Sequence, residues 1–310
     1  MDFRKFWLRD EREAAPWPDQ WKEDPLFAPS PPKPRIAVNI ILFLLTVFTT
    51  LLAGALHEGV DLLKNPEHIL KGIPFSFSLI GILLAHELGH YLTARKHGLN
   101  VTLPYFIPAP PLPFIIGTFG AFIKMRSAVR DRRMLLDVGA SGPLVGVVVS
   151  IPFLIFGFQL SEVKMVQGQM GLTLGSSLLL SLISWLVVGP LPKGFDIVLH
   201  PVGFAGWIGL LVTSLNLIPI GQLDGGHVAY ALLGKRQNKI SKYVFLGLLA
   251  LGIFGWPGWL LWGLLLFILG FRHPPPMEWW APLDRKRKFI GWLTVAVFIL
   301  TFIPVPFSGF

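Results

Sequence analysis

The sequence predicts an all-α polytopic membrane protein, a bundle of about six transmembrane helices with a small membrane-associated β element. Two observations carry this. Of 310 residues only 15% are charged and 53% are hydrophobic, with a mean hydropathy of +0.60, whereas about a quarter of a soluble domain is charged. The apolar residues also come in long runs, several of them the length of a membrane span, separated by short polar segments. No interval between the runs would hold a separate folded domain. The expected organisation is therefore an arm over residues 1–35 and one integral membrane domain over 36–310, with its core at 75–235.

The arm is charged and proline-rich and lacks the apolar stretch of a cleavable signal peptide. It reads as a cytoplasmic tail and linker in preference to a short amphipathic helix on the lipid surface, although FRKFWLRDE sets aromatics beside charges. Residues 36–56 carry no charge and are long enough to cross a hydrocarbon layer of about 30 Å. A second helix is expected at 75–97 and a third at 134–158, where Gly139, Gly142 and Gly146 would let a neighbouring backbone come close. Residues 201–219 form the fourth, and 289–307 the last clear span.

Three stretches need arbitration. Residues 243–270 are apolar but broken by Gly255, Pro257 and Gly258, so they form one kinked span or a tight hairpin. Lys and Arg number seven before the first helix, two before the second, seven from the end of the second to the third, two before the fourth and four after it. That alternation places the N-terminus in the cytoplasm. A single crossing would put the five basic residues after residue 270 on the outer face, which favours the hairpin. By the same argument residues 171–189 read as an interfacial helix. In residues 100–127 the prolines forbid a continuous helix while IGTFGAFIKM suits a strand, which predicts a re-entrant or surface loop.

The formal charge of +9 is spread between apolar runs, as expected of loops facing anionic lipid, and excludes a nucleic-acid surface. With no cysteine in the chain, disulfides and thiolate ligands are excluded, and any metal must be held by histidine and carboxylate.

One stretch supplies both. In LLAHELGHYLTARKHG, residues 83–98, His86 and His90 stand at i and i+4 of an apolar helix and project from one face, as two ligands of a tetrahedral Zn²⁺ do. Glu87 beside them is placed to reach a reacting water. Ionisable groups at this depth cost several kcal/mol and point to function, against the plainer alternative of a polar helix end at the interface. A third ligand is needed. In NLIPIGQLDGGH, Asp224 among glycines can turn inward, and His227 competes with it. His57, His68, His97, His200 and His273 carry no pattern and are assigned no site.

With these residues in view, the chain resembles the site-2 protease family of intramembrane zinc metalloproteases. HELGH at 86–90, the loop GTFGAFIKMRS, the helix DVGASGPLVG from Asp137 and NLIPIGQLDGGHVAY from Asn216 carry the likeness, across roughly residues 75–235. The combination of HExxH with Asn-x-x-Pro-x-x-x-Leu-Asp-Gly is its specific part. The branch without an inserted PDZ domain, bacterial and chloroplast, is the nearest match. The resemblance implies one Zn²⁺ per chain held by His86, His90 and Asp224, Glu87 as general base, and Asn216 as a stabiliser of the reacting carbonyl. It implies a single-pass membrane protein as substrate, cut in regulated intramembrane proteolysis. A bacterial inner membrane is expected, because no transit-peptide pattern is evident, with a chloroplast membrane as the alternative. The competing functions are a zinc-binding membrane scaffold without protease activity and an ion transporter, although no second copy of either motif marks a transporter's repeats.

Overall fold

In the computed structural model, which describes residues 36–111, 115–165 and 173–308, the apolar runs become nine α-helices among the described residues. Helix α1 is Ile36–His57, α2 Ile73–Lys96 after a 3₁₀ turn at Pro66–Gly72, and α3 Arg132–Gln159. Helix α4 is Leu178–Val187, α5 Pro201–Asn216, α6 Asp224–Leu233, α7 Gln237–Phe254, α8 Gly258–Leu269 and α9 Arg285–Thr301. Three segments are long and apolar enough to cross a membrane, Ile36–His57, Pro66–Lys96 and Arg132–Gln159. The fourth expected span stops at Asn216, because the chain turns at Leu217 and Pro219 before α6 begins. Expectations for residues 1–35 lie outside the described residues.

Helices α2, α3 and α5 form the centre, and Leu79, Leu83, Leu154, Trp207 and Leu210 are buried among them. Trp207 is fully buried yet satisfied, its indole N–H donating to the Gly175 carbonyl at 2.7 Å. Helix α3 starts where Asp131 accepts the Met134 amide at 2.8 Å, a side-chain cap for an otherwise orphaned donor. Helices α4 and α9 are capped in the same way by Ser177 and Asp284. The short α4, with Leu178, Leu182, Trp185 and Leu186 exposed, falls inside the stretch expected to lie at the interface.

The 243–270 stretch folds as two helices, α7 and α8, packed on each other about the turn at Gly255–Pro257. The ends of this pair return to one side of the molecule. Lys235 before α7 lies over the Trp279 ring, Arg130 pairs with Glu278 at 3.0 Å, and Arg132 donates to the Ala231 carbonyl. The basic segments around 97–133, 231–242 and 271–288 therefore meet at one end, as the charge alternation requires. The start of α1 joins them, since the Asn39 amide donates to the carbonyls of Leu103 and Pro104.

Strand β1 (Tyr105–Pro108) pairs antiparallel with β2 (Thr118–Phe122), with Tyr105 opposite Phe122 and Pro108 opposite Thr118. This is the β element expected within 100–127. It is fastened to α1, where Thr49 donates to the Gly117 carbonyl at 2.7 Å. Two further ribbons join β3 (Glu162–Met165) to β5 (Phe195–Val198) and β4 (Thr173–Leu174) to β6 (Phe307–Ser308).

Candidate metal centre

His86, Glu87 and His90 sit in the second half of α2 and are buried, at 4%, 5% and 6% exposure. Asp224, the first residue of α6, reaches them from the far side of the fold. It is held there by the glycines after it: a β-carbon at Gly225 would overlap the Leu217 carbonyl, so only glycine lets α6 fold back against the loop that precedes it.

His86 Nε2 and His90 Nε2 are 3.1 Å apart, and Asp224 Oδ2 lies 3.3 Å from the first and 3.2 Å from the second. Ligands at the tetrahedral angle and about 2.0–2.1 Å from a zinc ion stand about 3.3–3.4 Å apart. The triangle thus matches one face of such a coordination sphere. Protonation agrees with this. The Val138 carbonyl can only accept, so His90 Nδ1 carries the hydrogen that makes their 2.8 Å bond, and a neutral His90 then turns a lone pair on Nε2 into the triangle. Among the described residues this His-His-Asp set is the group able to hold a metal ion. It closes with Asp224 and leaves out His227.

The face of α3 opposite these residues explains its glycines. A β-carbon at Gly142 would collide with His90 Nε2, one at Gly146 would lie 3.0 Å from His86 Nδ1, and one at Gly139 would lie 2.7 Å from the His227 β-carbon. The expectation of backbone approach is met in part: Gly142 faces the α2 backbone at Gly89 and Gly139 faces the Asp224 carbonyl, and all three glycines also make room for histidine side chains. From α2, Gly89 faces the Ser141 carbonyl, and farther along α3 Gly157 packs on the α5 backbone at Gly203. Thr213 Oγ1 would lie 3.3 Å from the same added carbon at Gly146, which places this buried hydroxyl beside His86.

Further residues stand around this centre, some named by the sequence, such as Asn216 and His227, and some, such as Ile123 and His273, without a site signal there. The Ile123 amide, one residue past β2, lies against the Glu87 carboxylate and brings the hairpin to the site. Asn216 ends α5 one turn beyond Thr213, half-buried. Asp137, beside Val138, is clamped by Arg287 at 2.7 Å and by His97 at 2.9 Å, which ties the ends of α2, α3 and α9 together. His227 Nδ1 lies 2.6 Å from His273 Nε2, and His273 Nδ1 donates to the Pro274 carbonyl at 2.6 Å. Burial and the neighbouring His227 push His273 down to about 3, so it stays neutral and accepts from His227. Of the remaining histidines, His57 packs on Phe75 and Phe204, His200 caps α5, and His68 lies at the surface by Glu67.

Comparison with known proteins bears on this geometry. The model of peptidase family M50 matches residues 74–254. The probable chloroplastic zinc metalloprotease EGY1 of Arabidopsis thaliana is 33% identical over 300 residues, covering 87% of this chain and 53% of the relative. The EGY1 protein of Oryza sativa subsp. japonica is 29% identical, covering 87% and 51%, and EGY2 of Oryza sativa subsp. indica is 30% identical, covering 84% and 48%. The chain thus spans about half the length of these curated relatives. No solved structure matches it significantly.

Proposed function

Because the chain belongs to peptidase family M50, we propose that it is an intramembrane zinc metalloendopeptidase that hydrolyses a peptide bond within or near a transmembrane helix of a membrane protein. The observation that carries this is the His86–His90–Asp224 triangle with Glu87 buried beside it in an apolar helix. From His90 to Lys96 the helix runs only about 9 Å, so the centre lies inside the hydrocarbon near the basic end. We assign His86, His90 and Asp224 as ligands. A zinc ion held there supplies Lewis acidity for activating water and polarising the peptide carbonyl.

The protein's own residues do the rest. Glu87 takes the proton of the attacking water and passes it to the leaving amine, and the Asn216 amide meets the developing oxyanion. Substrate backbone freed from its helix needs partners for its amides, since lipid offers none. Strand β2 supplies them: β1 lies along one edge, and Phe119 and Phe122 are exposed at 58% and 48%. Proline at Gly120 or Ala121 is expected to abolish cleavage in a reconstituted assay while bound zinc stays unchanged. Normal cleavage by such variants would remove the strand from the mechanism.

Beyond the three long apolar segments, we assign α5, the α7–α8 hairpin and α9 to the membrane as well, giving the bundle of about six expected from the sequence. Residues 36–310 would then be one membrane domain and 1–35 its cytoplasmic arm. By the positive-inside rule we place the gathered basic segments toward the cytoplasm in a bacterium, or toward the stroma if, like its chloroplastic relatives, it belongs to a chloroplast. The substrate would be a single-pass protein whose span approaches through the bilayer.

The alternatives, a zinc-binding scaffold and an ion transporter, have no use for a buried carboxylate beside a complete ligand set. The test is purified chain in nanodiscs with a panel of single-span substrates. Cleavage should disappear on chelation and return with zinc, and proteoliposomes should pass no zinc. Zinc flux without cleavage would establish the transporter instead.

A further inference from the structure

Away from the metal centre, a cavity of about 340 Å³ opens at the basic end, lined by Arg132, Leu232, Pro282, Leu283, Lys288 and Trp292. Two cations share it with four apolar or aromatic side chains. Arg132 turns Nε and one terminal nitrogen, Nη2, to the Ala231 and Leu232 carbonyls, and neither it nor Lys288 pairs with a carboxylate among the described residues. On α9, Lys288, Trp292, Val295 and Ile299 stand at i, i+4, i+7 and i+11, so they share one helix face, and Phe302 follows just past the helix end. That face leads from the cations to a second cavity of about 430 Å³, lined by apolar residues, between α7 and α9 and floored by Ile218.

We propose that this face is a binding site for one anionic phospholipid, its phosphate between Arg132 and Lys288 and an acyl chain along α9 toward Phe302. From Trp292 to Phe302 the helix runs about 15 Å, half the hydrocarbon thickness and so the depth of one leaflet. Charge complementarity sets the headgroup, since cations at this end face the leaflet surface where anionic lipid collects. A soluble anion would use the two cations but not the apolar groove. The site also touches the centre's supports, for Leu232 lies in the last turn of the helix that begins with Asp224, and Arg132 begins the helix that seats the histidines.

The experiment is native mass spectrometry of the whole chain equilibrated with equal amounts of phosphatidylglycerol and phosphatidylcholine. One phosphatidylglycerol should be retained at least tenfold over phosphatidylcholine, and millimolar inorganic phosphate should not displace it. Lys288→Glu should abolish the preference, with Lys288→Gln measured alongside in case the glutamate variant does not fold. Lys286→Glu makes the same charge change two residues earlier, at an exposed position outside the cavity, and should leave the preference intact. Equal retention of the two lipids by the native chain would overturn the proposal. So would an equal loss in Lys286→Glu, which would mean diffuse surface charge, or displacement by phosphate. Competition by a single-span peptide with no headgroup preference would give the groove to a protein segment.

Discussion

Glu87→Gln is expected to lower cleavage by about 10⁴-fold, the upper end of what general acid–base catalysis contributes, while the protein keeps its fold and its zinc. The variant is nearly isosteric with the native residue. A glutamine side chain can still lie against the Ile123 amide, as Glu87 does, so the hairpin should stay at the site. None of the three triangle atoms belongs to residue 87, and the metal should remain near one per chain. What is lost is the ability to accept a proton and return it. Measuring metal content and turnover on the same preparation separates these effects. Turnover near the native value with metal present would remove Glu87 from the chemistry, and loss of metal with turnover would make it a structural support.

How much of this was legible follows from which constraints are local. HELGH was legible because i and i+4 on one helix fix two imidazoles to one face whatever the rest of the chain does. The α7–α8 hairpin was legible from charge, since the loops on either side of it are both basic. The choice between Asp224 and His227 was not. They stand three residues apart on one short helix, and only the packing of α6 against α3 turns the first to the triangle and the second to His273. His273 had no signal at all, because its partner is 46 positions away and no periodicity relates them. Helix α9 begins at Arg285, before the apolar run expected at 289, because the capping residue is Asp284 and hydropathy sees the bilayer rather than helix ends.

The glycines of α3 give the sharpest case of a pattern seen correctly and explained only in part by backbone approach. Small residues at 139, 142 and 146 predicted a close neighbour; the neighbours at 142 and 146 include the imidazoles themselves. Gly142→Ala should therefore damage the metal centre without altering a ligand. Its methyl group would occupy the place of His90 Nε2, and the ring can leave only by breaking its 2.8 Å bond to the Val138 carbonyl. Overpacking of a tight interior costs about 1–3 kcal/mol. Taken from the metal-binding state, that is about a 5- to 150-fold loss of zinc affinity. Gly146→Ala should be milder, since the added carbon lies 3.0 Å from His86 Nδ1 and a shift of a few tenths of an ångström relieves it. Competition with a zinc chelator would rank the two. Raising free zinc should restore cleavage to Gly142→Ala and never to Glu87→Gln, because one has lost affinity and the other chemistry. If Gly142→Ala bound zinc as tightly as the native chain, the histidine would have room that the packing denies it, and the seat on α3 would not be what holds the centre in shape.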